Sequence, residues 1–250
     1  MSGGRTLRIV PSEYQPPLPA ERFIVRDPLD AEAVPMDVVF VGGGPAGLAG
    51  AIELANLVRK DNEAGGSLGD IQIAVLEKAP GLGEHSLSGA VVNPIAFREL
   101  FPELRYEDLP FRAPVVNERV YLMMGQRAQR IPTPPTMQNH GYYTASLSEM
   151  VRWLGEKAEG LGVNVFTGFP VASLVMDGRK ASGVRTTPMG LGRDGQPGSG
   201  YSPPTDISAR VTVLSEGTRG SLTQAYMEAE KIGSDNPQIF ALGVKEIWET

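Results

Sequence analysis

The sequence predicts an α/β fold: a mostly parallel sheet carrying a β-meander, interrupted by part of a smaller α+β domain. Three observations carry that prediction. A short apolar, β-branched run, Asp37-Val38-Val39-Phe40-Val41, leads straight into Gly42-Gly43-Gly44-Pro45-Ala46-Gly47, and Leu48, Ala51, Ile52, Ala55 and Val58 then recur at helical spacing. That order is a buried strand, a tight turn and a helix packed back on the sheet. A second strand pattern, from Ile71 to Leu76, ends at Glu77-Lys78 and completes one βαβ unit. From about Asn93 to Gly141 the rhythm is lost, broken by Pro94, Pro102, Pro110, Pro114, Pro132, Pro134 and Pro135, which marks an excursion out of the sheet.

Residues 1–36, with Pro11, Pro16, Pro17 and Pro19, read as an extended arm lying on the body or loose in solvent. The sheet domain then runs over 37–92 and resumes over 142–232, with the excursion at 93–141 and a return to the smaller domain starting at 233–250. In the second segment, Leu147, Met150, Val151, Leu154, Ala158 and Leu161 mark one face of a helix ending near Gly160 and Gly162. Ser146 and Glu149 stand at capping-box spacing at its start. Val163 to Phe166 predicts a further parallel strand. Ala172 to Met176, a turn at Asp177-Gly178, and Ala181 to Thr187 predict a hairpin. A loose Gly/Pro/Ser loop is expected from about Met189 to Thr205. After it, Ala209 to Leu214 reads as a strand running into Ser215-Glu216-Gly217.

Composition narrows the function. Of 250 residues, 41% are hydrophobic and 21% charged, ordinary for a globular chain. Thirty glycines and 21 prolines point to many turns rather than a helical bundle. The chain carries 23 basic against 29 acidic residues and no basic block, which speaks against nucleic acid as a partner. It has no cysteine, so it supplies no disulfide, no thiolate zinc site and no ligand to a cysteine-held iron–sulfur cluster. With only His85 and His140, a multi-histidine metal site is excluded too. No run of about 18 apolar residues predicts a membrane-spanning helix. Glu13, Glu21, Asp27, Asp30 and Glu32 among the early arginines do not suit a mitochondrial presequence, and a secretory apolar core is missing.

The chemistry is expected at the glycine turn. Gly42, Gly44 and Gly47 form GxGxxG between a strand and a helix. Gly42 permits the tight turn, Gly44 lets the backbone approach a pyrophosphate, and Gly47 allows close helix–strand packing. The helix N-terminus offers free amides and the positive end of its dipole, and Pro45 suits the first helical position. Glu77, at the end of the second strand, is the carboxylate that accepts ribose hydroxyls and disfavours a 2′-phosphate, so the site is of FAD or NAD type. The competing reading is a glycine-rich turn that merely packs. Strand, helix and terminal acid together favour a Rossmann-like dinucleotide-binding domain.

The strings VVFVGGGPAGLAGAIELA, VLEKAPGLGEHSLSGAVVNP and SLSEMVRWLGEKAEGLGVNVFTGF, continued by SEGTRGSL and FALGVKEIWE, resemble the electron-transfer flavoprotein–ubiquinone oxidoreductases. The likeness covers nearly all of residues 37–249 in collinear order. It implies a Rossmann-like FAD-binding domain of the glutathione-reductase superfamily, interrupted by a quinone/substrate domain, with a 4Fe-4S cluster domain whose ligands this chain lacks. On the matching positions, Gly42, Gly44, Pro45, Ala46 and Gly47 would hold the FAD pyrophosphate, Glu77 the adenosine ribose, and Lys78 would flank that ribose. Ser88 and Gly89 would sit near the ribityl and isoalloxazine portion, and Val171 would offer its backbone to the adenine. Glu216 and Gly217 would close a second side, with Arg219 supplying positive charge near a reduced flavin. No residue is expected to do covalent or acid–base work.

The resemblance further implies electron-transfer flavoprotein and ubiquinone as partners, and peripheral contact with a membrane. The expected location is the cytoplasmic face of a bacterial inner membrane, or the mitochondrial inner membrane in a eukaryote. The chain reads as the N-terminal portion of a longer oxidoreductase, from a truncated gene model or a broken gene. Alternatives are a geranylgeranyl-reductase-like or hydroxylase-like NAD(P)H flavoenzyme and a non-catalytic remnant. Several residues have blander readings. Ser146 lies close to the flavin by resemblance, or simply caps its helix. His85 is a solvated loop residue, and His140 braces a domain junction. Met123 and Met124, beside Tyr121 and Leu122, line a quinone pocket, touch lipid, or fill the smaller domain's core.

Overall fold

Continuous apolar runs put their strands at the centre of a sheet, and that is where the computed structural model, which describes residues 18–87 and 89–233, places them. The elements in order are α1 (Ala20–Phe23), β1 (Ile24–Val25), β2 (Val34–Val41), α2 (Pro45–Glu63), β3 (Ile73–Glu77), β4 (Ala90–Val92) and α3 (Ile95–Leu100). Next come β5 (Ala113–Pro114), β6 (Val120–Met124), β7 (Arg127–Ile131), β8 (Tyr143–Ala145), α4 (Leu147–Gly160) and β9 (Asn164–Thr167). The chain continues through β10 (Val171–Asp177), β11 (Lys180–Thr186), β12 (Met189–Leu191), β13 (Pro197–Ser202), β14 (Asp206–Leu214) and α5 (Ser221–Ala229).

Seven strands form the main sheet in the order β1-β10-β11-β14-β2-β3-β9. The strands β14, β2, β3 and β9 run parallel, whereas β10, β11 and the start of β14 make the antiparallel meander. Side chains alternate across a strand, so β2 feeds two cores. Phe40 packs with Leu48, Ile52, Val75, Val151 and Leu154 under α2 and α4. Val39 and Val41 pack on the other face with Leu76, Leu174, Val184 and Leu222 of α5. Both layers lie immediately beneath the C-terminal ends of the parallel strands, where the glycine turn sits.

Several expectations are corrected. The strand of residues 37–41 begins three residues earlier, because Val34, Pro35 and Met36 pair with Ile207, Ser208 and Ala209. The described part of the arm is not simply extended: α1 lies against α5 and β1 pairs in parallel with β10. Pro11, Pro16 and Pro17 fall outside the described residues. The loose loop from Met189 to Thr205 contains a two-stranded ribbon, β12 with β13, built by backbone pairing that no side-chain alternation announces. The capping box at α4 does not form. Ser146 is the N-cap by backbone, but its hydroxyl meets Ser148 Oγ at 3.1 Å and Glu149 is drawn to Arg112 instead.

The excursion has two characters. Phe97, Phe101 and Leu109 enter the same core as Phe40 and Leu48, and Trp153 of α4 packs edge-on to Phe101 with ring centroids 5.0 Å apart. By contrast, the β6–β7 hairpin stands out in solvent. Tyr121, Leu122, Met123 and Met124 are all exposed, Met123 at 68%, so these methionines are not buried among the described residues. Among the described residues, no helix is long and apolar enough to cross a membrane.

One buried acid ties the arm to the meander. Asp206 is 4% exposed and receives Arg185 in a fork, Nε to Oδ1 at 2.7 Å and Nη2 to Oδ2 at 2.9 Å, while the Asp30 N–H donates to Oδ2 at 2.9 Å. The Arg185 hydrogen bonds above all, then the Asp30 amide, hold this carboxyl below its ordinary 3.8. A depressed carboxyl contributes stability above its unfolded value and loses it as pH falls through the folded one. Asp206→Asn is expected to lower stability by about 2 kcal/mol at neutral pH. The gap from wild type, read by urea unfolding, should narrow between about pH 5 and pH 3.

Candidate functional site

The C-terminal ends of β2, β3 and β14 surround a cavity of about 420 Å³, in the range of a small-molecule site. Its floor is the glycine turn. Gly42 has φ +113°, a left-handed conformation that glycine alone adopts freely, and a Cβ there would stand 2.5 Å from Ser215 O. At Gly47 a Cβ would stand 2.1 Å from Gly42 O, so α2 lies against the turn only because Gly47 has no side chain, while the bare Gly42 admits the end of β14. Above Gly44 the space is open, with nothing within 4 Å of a Cβ position. Gly44 is the N-cap of α2, and no side chain caps that N-terminus. Open amides at a helix start, beneath an empty hollow, suit a phosphate group.

Glu77 points to the mouth of this hollow. Its Oε2 accepts the Gly43 N–H at 2.9 Å and its Oε1 accepts the Ala79 N–H at 2.8 Å. Each carboxylate oxygen keeps capacity for a further donor. His85 Nδ1 stands 3.9 Å from Glu77 Oε1, and the Glu77 side chain is only 13% exposed. Lys78 and Val171 line the cavity, as do Gly42, Gly44, Pro45 and Ala46. Gly47 lies just below, in the first turn of α2.

Glu216 and Gly217 also line it, but the Glu216 carboxylate is engaged elsewhere. It accepts the Leu222 and Thr223 amides at 3.2 and 2.8 Å and the Thr223 hydroxyl at 2.8 Å, and so closes the N-terminus of α5 from outside the helix. Gly89, with φ +86°, is not on the cavity wall, and Ser88 lies outside the described residues. The string from Gly243 to Trp248 is outside them as well. His140 is exposed on the approach to β8, away from the cavity. Arg219 is on the wall.

The structure adds wall residues that motif reading passes over, among them Gly83, Ser86, Phe169, Pro170 and Ser215. Ser215 is the most telling. Its hydroxyl lies 3.0 Å from both Val41 O and Gly42 O, which ties the end of β14 to the glycine turn. A small polar residue just before the acid–glycine pair was the only hint. Among the described residues, no group of three or more His, Asp or Glu is placed to hold a metal ion.

No family model matches the sequence. Curated proteins do. The chain is 40% identical over 228 residues to a probable electron transfer flavoprotein-ubiquinone oxidoreductase of Acinetobacter baylyi, covering 88% of this chain and 39% of that protein. It is 41% identical over 222 residues to the mitochondrial electron transfer flavoprotein-ubiquinone oxidoreductase of Oryza sativa subsp. japonica, covering 87% and 37%. The chain is a homologue of the electron transfer flavoprotein-ubiquinone oxidoreductases. It spans less than two fifths of the length of these relatives.

Solved structures share the homologue's fold at lower identity. A flavin-dependent brominase superposes with TM-score 0.51 at 16% identity, over 77% of this chain and 40% of that one. A geranylgeranyl bacteriochlorophyll reductase-like protein from Thermoplasma acidophilum superposes with TM-score 0.50 at 16% identity, over 74% and 40%. A Rossmann-type α/β fold is the common element.

The Glu216 contact has a measurable consequence. Glu216→Ala leaves two first-turn amides of α5 without acceptors and is expected to lower stability by about 1 kcal/mol. Thermal unfolding would record the loss, and amide exchange should place the fraying in the first turn of α5.

Proposed function

We propose that this homologue binds FAD at the glycine turn and belongs to a protein that passes electrons from electron transfer flavoprotein to ubiquinone. The observation that carries the reading is the open hollow above Gly44, with uncapped amides of α2 on one side and Glu77 on the other. FAD, when bound, supplies the redox chemistry.

The chain's own residues bind and orient. The amides from Gly44 to Gly47 receive the diphosphate, and Pro45 leaves no competing donor at the helix start. Glu77 accepts the adenosine ribose hydroxyls and repels a 2′-phosphate, with Lys78 beside it. Val171 offers its backbone to the adenine, Ser88 and Gly89 lie toward the ribityl and isoalloxazine end, and Gly217 with Glu216 closes the second side. Residues 37–92 and 142–232 form the FAD-binding unit, 93–141 the excursion toward the quinone, and 233–250 the return. With no cysteine, the chain offers no thiolate to a 4Fe-4S cluster, and no step is assigned to one.

Membrane contact is assigned to the β6–β7 hairpin. It presents Tyr121, Leu122, Met123 and Met124 to solvent with Arg119, Arg127 and Arg130 exposed beside them, an apolar tip with cations suited to an anionic lipid surface. The location is the inner membrane, peripherally held.

Two experiments test the proposal. Titrating the chain with FAD, followed by visible absorbance and by the amide resonances of Gly43, Gly44, Ala46 and Gly47, should show binding that Gly44→Val reduces about a hundredfold and Glu77→Ala about tenfold. Wild-type affinity in Gly44→Val would overturn the phosphate cradle. In co-sedimentation with vesicles containing anionic lipid, Leu122→Glu/Met123→Glu should release the chain while leaving the FAD titration unchanged. Equal sedimentation of variant and wild type would overturn the hairpin assignment.

A further inference from the structure

We infer that Gly155, in the middle of α4, is a positioning residue for the dinucleotide site: by leaving room for the Leu82 side chain, it sets the loop that covers the bond between Gly43 and Glu77. Glycine inside a helix is unfavourable relative to alanine, so a buried one at mid-helix calls for a packing reason. Here the reason is visible. A Cβ on Gly155 would stand 2.0 Å from Leu82 Cδ1. The other methyl of the same side chain faces the glycine turn: a Cβ on Gly43 would stand 3.1 Å from Leu82 Cδ2 and 3.1 Å from Glu77 Oε2. One isobutyl group therefore touches α4 at one end and the ribose-side corner of the cavity at the other.

The next residue repeats the pressure. Gly83, φ +80°, lies so near α4 that a Cβ would stand 2.5 Å from Ser148 O. The loop is thus pressed onto α4 at two successive residues, and His85 and Ser86 are carried from that anchorage to the cavity wall. Leu82 is partly buried against the α2–α4 core. A methyl at position 155 takes the place of Cδ1. Leu82 must then rotate, its Cδ2 leaves the Gly43–Glu77 corner, and water gains access to a bond whose acceptor is now mostly shielded.

The inference rests on the FAD reading only for its effect on affinity, so the test has two readouts on the full chain. Without ligand, NMR amide exchange is measured at Gly43 and Ala79, the two amides that donate to Glu77, together with the thermal midpoint. In parallel, each protein is titrated with FAD. In Gly155→Ala and Gly155→Val, exchange at both amides should quicken about tenfold, while the midpoint of Gly155→Ala holds or rises because alanine favours the helix. Leu82→Ile combined with Gly155→Ala should restore slow exchange, because isoleucine carries its branch at Cβ, frees the space of Cδ1 and keeps one δ-methyl for the Gly43–Glu77 corner. FAD affinity should fall about tenfold in the single variants and recover in the double.

Unchanged exchange at Gly43 and Ala79 in the single variants, or a double variant no slower than Gly155→Ala, overturns the inference; if Gly155→Val does not fold, Gly155→Ala decides. A wild-type chain without FAD affinity, whose exchange still responds as described, supports the positioning role and overturns the FAD reading. The reverse pattern overturns only the positioning role.

Discussion

The absence of two side chains, at Gly42 and Gly47, governs the working end of this molecule. The first turn of α2 rests on the carbonyl of Gly42 at a distance no Cβ tolerates. Ser215 holds the same carbonyl from the β14 side, and Glu77 holds the Gly43 amide from the β3 side. Three parallel strands are thereby locked to one turn, and the hollow above Gly44 is left clear.

Two acids near that hollow have opposite roles. Glu77 accepts one amide on each oxygen and still faces the cavity, so it remains an acceptor for a ligand's hydroxyls. Glu216 occupies the start of α5 and cancels the positive end of that helix. The cavity therefore has one open helix N-terminus and one closed by the protein itself. In the proposed FAD reading, the diphosphate meets α2 and the sugar meets β3. The polarity of the site follows from which carboxylate is engaged and which is available.

Around this centre the excursion serves two ends. Its aromatic residues complete the core beneath α2 and α4, which stiffens the layer carrying Gly155 and Ser148. Its β6–β7 hairpin instead faces outward with apolar side chains that no described element covers. Core support and outward reach are thus separated along one proline-rich stretch, which explains why the sequence there lacks a single periodicity.

The βαβ unit, the α4 stripe and the β10–β11 hairpin can be read from the sequence because each is encoded locally, by apolar spacing and turn residues within a few positions of one another. The glycine turn and Glu77 are legible for the same reason: a strand, a turn and a helix in succession leave few ways to pack. Other features depend on partners far along the chain. Ser146 and Glu149 have the spacing of a capping box, yet Arg112, brought alongside by the fold, takes the acid away. Glu216 reads as a pocket residue, and only the position of α5 turns it into a helix cap. The seat of Leu82 on Gly155 joins segments that no motif connects. Local pattern thus determined the elements and the type of site, while the tertiary structure decided which side chains remain free to meet a ligand, because a charge or a gap in the packing acquires its partner only when distant segments are brought together.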